Sequence, residues 1–170
     1  MIELAMKERF VLPALILTYS TIDSASFLAA TRIDERVDTR FQAWVNRWML
    51  TAKSLPCNAE ELYSARCGVV HSFTSDSTLT RKSGVRSVVY AWGSMDYSKL
   101  QRAIDIQGRS DLIALQLEHL FDALTLGLAN FFEETTKDSS LVAQLAERSL
   151  KYFSPLSSNQ LEEFLKSQGE

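Results

Sequence analysis

Apolar residues recur at helical spacing through most of this chain, and that periodicity narrows the available folds more than any other feature. The clearest case is Phe41, Trp44, Val45, Trp48 and Met49, at i, i+3, i+4, i+7 and i+8. Such a stripe predicts a helix over 37–53 with its tryptophans turned into a core. Upstream, Leu12, Leu15, Ile16, Tyr19, Ile22, Phe27 and Leu28 predict a long first helix from near Ile2 to Ala30. Pro13 lacks a backbone donor and clashes with the preceding turn, so a kink or restart is expected there. Thr31 to Arg36 is polar and reads as a loop. Leu55-Pro56 closes the second helix, because a residue before proline avoids the helical region.

A third helix is predicted to begin at Ala59. Asn58 with Glu61 three residues later is a start signal related to the capping box. The helix should end near Phe73, where Thr74 to Ser83 turns rich in Ser, Thr and Asp. Val85 to Trp92 is β-branched and aromatic and reads as a short strand, its partner expected near Leu100 to Ile106 or in a second copy of the chain. A long helix follows from Ser110 or Asp111 to about Glu134. Leu141 to Phe153 and Gln160 to Lys166 are two shorter helices split by Pro155, with Ser157 and Gln160 repeating the cap signal. The expected fold class is therefore all-α, with one short β-strand or hairpin. The chain reads as a single domain over 1–170, its core at about 10–135 and its C-terminal helices at 138–168.

Composition agrees with a globular chain. Of 170 residues, 46% are apolar and 23% charged, close to the averages for packed domains and far from those of disordered ones. The formal net charge of −3 gives no overall field for nucleic acid. The run Arg81, Lys82, Arg86 is the best local basic patch. Cys57 and Cys67 match no zinc or redox spacing and read as reduced thiols in a cytoplasmic protein. Lys7 and Arg9 before FVLPALIL, with SASFLAA beyond, loosely resemble a secretory signal. Glu3, Glu8 and Asp23 and the continuing helical pattern argue against cleavage. No stretch reaches the ~18 uninterrupted apolar residues of a membrane span, so no membrane association is expected.

The most chemically pointed stretch is ARCGVVHSF, Ala65 to Phe73. On an ideal helix Arg66 and His71 lie roughly 140° apart, whereas Tyr63, Cys67 and His71 follow one another at i, i+4 on one face. Gly68 costs a helix interior up to ~1 kcal/mol and suits a close approach by a neighbouring helix. If that neighbour is a second copy, two Arg/His sets converge in one groove. A guanidinium fits phosphate oxygens, and a neutral imidazole takes or gives a proton near pH 7. Together they suffice for metal-free RNA cleavage. A plain structural reading stands beside this one: Arg66 paired with Glu60, Asp23 or another acid, and His71 capping the helix end.

The order Arg66-x-x-x-x-His71 within LYSARCGVVHSF resembles the signature of HEPN domains, arginine and histidine separated by four to six residues near the end of a core helix. YSTIDSASFLA resembles the first helix of prokaryotic HEPN proteins. The similarity covers roughly Ala14 to Phe132. It implies an α-helical bundle that dimerises with its motif helices facing, and in many members a metal-independent endoribonuclease of toxin–antitoxin, CRISPR-linked or antiviral systems. By position, Arg66 would contact the scissile phosphate and His71 would be the acid–base residue. Asp23 would orient Arg66 from the first helix. The family often has asparagine directly after the arginine; here Cys67 stands there, with Tyr63, Ser72 and Thr74 as other polar contacts.

The resemblance therefore implies RNA or a nucleotide as partner, a homodimer, a cognate antitoxin, and no cofactor or metal. A catalytically inactive nucleotide- or RNA-binding or regulatory module is the alternative, and a purely structural partner subunit a third reading. Cys57, Cys67 and His71 as metal ligands, or Cys67 as a nucleophile with His71 as base, lack the further groups such sites need. His119 reads as a boundary residue, and no phosphate-binding glycine loop is present.

Overall fold

A computed structural model describes residues 1–72 and 84–153, and beyond them Asn159, Glu163, Lys166 and Ser167. Helices dominate it: α1 (Ile2–Lys7), α2 (Val11–Ala29), α3 (Val37–Trp44), α4 (Ala59–Ser72), α5 (Tyr97–Ile106), α6 (Leu117–Thr136) and α7 (Ser139–Phe153). Two short strands, β1 (Ser87–Ala91) and β2 (Leu112–Gln116), pair in parallel with Ser87 opposite Leu112 and Ala91 opposite Gln116. The predicted loop at Thr74 to Ser83 lies outside the described residues, as do Pro155 and most of the predicted helix at Gln160 to Lys166.

The expected first helix is two helices. The break comes at Glu8 to Phe10, where Arg9 adopts φ +61. Pro13 then falls within the first turn of α2, where backbone N–H groups have no intrahelical acceptor and proline costs little. Ala14, Leu15, Tyr19, Ile22 and Ala25 carry α2 through the core. By length and composition alone α2 is apolar enough to cross a membrane; here its buried face packs against α3, α4 and α6.

The second predicted helix forms with an unforeseen defect. α3 passes into a π-helical segment, Val45–Met49, before a last turn at Leu50–Ala52. Facing the end of this segment across the interface is Gly127 of α6. A Cβ placed on Gly127 would sit 2.9 Å from the Met49 Cα, so the two backbones nearly touch. Trp44 and Trp48 stay in the core against Phe131, at ring-centroid distances of 6.2 and 5.0 Å.

The sheet corrects two expectations. β1 falls where a strand was expected, but its partner is not Leu100 to Ile106, which is helical. The partner is Leu112 to Gln116, which was assigned to the long helix. That run, LIALQ, is apolar up to its last residue, Gln116, and such a run suits a buried parallel strand as well as a buried helix. Pairing with β1 decides it. α5 makes the crossover: Asp96 caps its start by accepting from the Ser98 amide at 2.9 Å, and Gln101 accepts from the Ala114 amide at 2.8 Å. α6 therefore begins at Leu117, seven residues later than Ser110. The fold is mainly α, with this one small two-stranded sheet among the described residues.

α7 closes the bundle at the end of α2. The Arg148 side chain is 5% exposed and its Nη1 donates to the carbonyls of Phe27, Leu28 and Ala30. Gln144 adds bonds to Leu28 and Ala30. The last carbonyls of a helix have no partner of their own, and a cation there also meets the negative end of the helix dipole.

Candidate functional site

The site is built on α4, and its position begins with the cap. The Asn58 amide donates to Glu61 Oε2 at 2.8 Å while the Glu61 amide donates to Asn58 Oδ1 at 2.9 Å. This is the reciprocal capping box the sequence announced. Glu61, 4% exposed, also receives Arg86 from the entrance to β1. Arg86 is therefore tied to an acid of α4; Arg81 and Lys82 lie outside the described residues.

From this fixed start the helical turn sends Arg66 toward α2. Its Nε and Nη2 both reach Asp23 Oδ2, at 2.7 and 2.6 Å. The Arg66 and Asp23 side chains are 13% and 19% exposed. Burial works against the Arg66 charge, but Asp23 outweighs it and the pKa is raised, so the guanidinium stays charged. Asp23 Oδ1 is buried and has no hydrogen-bond partner.

Tyr63 and Cys67, one turn apart, lie beside this pair and are half-buried. Burial first, and the nearby thiol second, push the Tyr63 hydroxyl up to about 12. The Cys67 thiol helps to raise the pKa of both Tyr63 and Arg66. The thiol thus occupies a polar position despite being a weak donor. The Tyr63 ring rests edge-on against Phe41, with centroids 5.4 Å apart.

Asp23, Tyr63, Arg66 and Cys67 thus form one contiguous group at the α2–α4 junction. His71 and Ser72 lie on the last turn of α4; their side chains, like Thr74, are outside the described residues. His119 packs its ring on Tyr97 at 5.5 Å, away from this group, as a half-buried boundary residue. Cys57 is buried under the start of α4, its thiol pushed up to about 12 by burial and then by Glu61. Among the described residues no cluster of three or more His, Cys, Asp or Glu could hold a metal ion.

This arrangement supplies a charged guanidinium in fixed orientation, on the helix that carries a histidine five residues on. It also shows that the guanidinium's charge is already balanced by Asp23, a contact the sequence offered only as one of several acids. The Arg86–Glu61 tie was missed, because nothing local links positions 25 residues apart. Comparison with known proteins adds no further constraint: no family model matches the chain, and no match is found among curated proteins or solved structures.

Proposed function

We propose that the chain is an HEPN-like cytoplasmic protein that acts on RNA as a metal-independent endoribonuclease, assembled as a homodimer in a toxin or defence system. The observation that carries this reading is the clamp of Asp23 on Arg66, which presets a guanidinium on the helix that bears His71. In the reaction, His71 takes the proton from a ribose 2′-hydroxyl. The freed oxygen bonds to the adjacent phosphorus, the bond to the 5′-oxygen breaks, and that oxygen leaves with a proton. Arg66 offsets the negative charge that grows on the phosphoryl oxygens. The products are a 2′,3′-cyclic phosphate and a 5′-hydroxyl end.

A specific observation favours a second reading. Arg66 is mostly withdrawn from solvent and already balanced by Asp23, as in a module that binds nucleotide or RNA without turnover.

The test is incubation of the full chain with single-stranded RNA in EDTA. Cleavage leaving cyclic phosphate ends is expected, and loss of cleavage in a folded His71→Ala variant. Cleavage that survives this substitution removes His71 from the mechanism. Saturable binding with no cleavage, in a protein whose mass in solution is that of a dimer, selects the second reading.

A further inference from the structure

A second feature, built from different residues, lies where the end of α2 meets α3. A cavity of about 120 Å³ opens there, lined by Ser26 of α2 and Ala30 just beyond it, Glu35 from the loop, Arg40 and Trp44 of α3, and Arg47 of the π-helical segment. Two of these side chains carry buried donors with no acceptor. The Trp44 indole is 1% exposed and its Nε1 has no hydrogen-bond partner; Arg40 Nε is buried and unpartnered as well. A buried donor left unsatisfied destabilises the fold, so a second orphan among the residues of the same cavity asks for an explanation.

The charges sharpen the point. The Arg40 guanidinium stacks over the Phe27 ring at 5.1 Å and makes no ion pair among the described residues. Glu35, which lines the same cavity, does not pair with it. Arg47, by contrast, is engaged by Glu134 and lies over the Trp48 ring. The residues lining the cavity therefore bring a half-buried cation with no ion pair among the described residues and two buried N–H groups without acceptors, with Glu35 the one carboxylate among them. Water would satisfy the two N–H groups, but it brings no charge to balance the guanidinium. An oxyanion does both, since a carboxylate or phosphate oxygen accepts charge-assisted bonds from Arg.

We propose that this cavity is an oxyanion-binding site, taking a phosphate or carboxylate group between Arg40 and the Trp44 indole. It shares no residue with the Asp23–Arg66 group and stands whatever that group does.

The experiment follows the indole N–H signals of the full chain by ¹⁵N NMR, the Trp44 signal assigned with Trp44→Phe. Inorganic phosphate, acetate and, at matched ionic strength, sodium chloride are titrated in separate arms. The expected result is a saturable shift of the Trp44 signal with phosphate or acetate, the effective arm naming the oxyanion, and none with chloride. Arg40→Lys keeps the charge but removes the Nε donor, and should weaken that binding by about tenfold or more. A Trp44 signal that does not saturate with either oxyanion, or shifts equally with chloride, overturns the proposal on the wild-type protein alone. In that case the cavity is hydrated and nothing more.

Discussion

Asp23 Oδ2 accepts two bonds from Arg66 while Oδ1 accepts none. The pair is thus held through one oxygen, and its value rests on charge. Asp23→Asn keeps the shape and removes the charge that faces a mostly buried guanidinium. A loss of about 1–3 kcal/mol in urea unfolding is expected. A change within error of zero would mean that solvent already screens the pair. The cysteines differ in a way the sequence did not reveal. Cys57 is buried and raised to about 12, so at pH 8 it should resist alkylation in the native state while the half-buried Cys67 reacts first, as counted by mass spectrometry. Both cysteines matched no signature, and only the packing of α4 separates them. The helix that carries Arg66 and His71 was legible, because capping and periodicity are local. The acid opposing Arg66 was not fixed by them, since it lies 43 residues away.

At the scale of elements, the outcome follows the same division. The capping box at Asn58 and Glu61, the stripe of α3 and the strand β1 could be read because each is a pattern within a few residues. LIALQ could not, because its five residues suit either state until a neighbouring strand offers hydrogen bonds. The π segment of α3 was equally hidden. The close approach of Gly127 to Met49, at its end, joins positions nearly eighty residues apart. Gly127→Ala drives a methyl group to 2.9 Å from the Met49 Cα, and backbone on both sides leaves little room to yield. A destabilisation of about 1–3 kcal/mol is expected, read as a lowered thermal midpoint; an unchanged midpoint would show that α3 and α6 can part without cost. Arg148→Ala removes a buried donor from three carbonyls, two of which keep Gln144, and should cost about 1–3 kcal/mol. Hydrogen exchange should then speed up at the α2 C-terminus before it does so at α4.

For the molecule as a whole, alkaline pH is the direction of weakness. Tyr19 and Tyr90 meet hydroxyl to hydroxyl in the core, and burial raises both, as it raises Cys57. A group whose pKa is raised in the folded state adds stability below its unfolded value, and that stability fades as pH climbs. For Cys57 the window runs from about 9, its ordinary value, to about 12. The urea midpoint should therefore fall steeply above pH 9, and a flat profile to pH 11 would place these groups in contact with water. One last consequence concerns biosynthesis. The clasp that finishes α2 is supplied by residue 148, made more than a hundred residues later. While the ribosome works, the early helix waits with ragged ends, and nascent chains halted before α7 should be cut there by protease while full-length ones are spared.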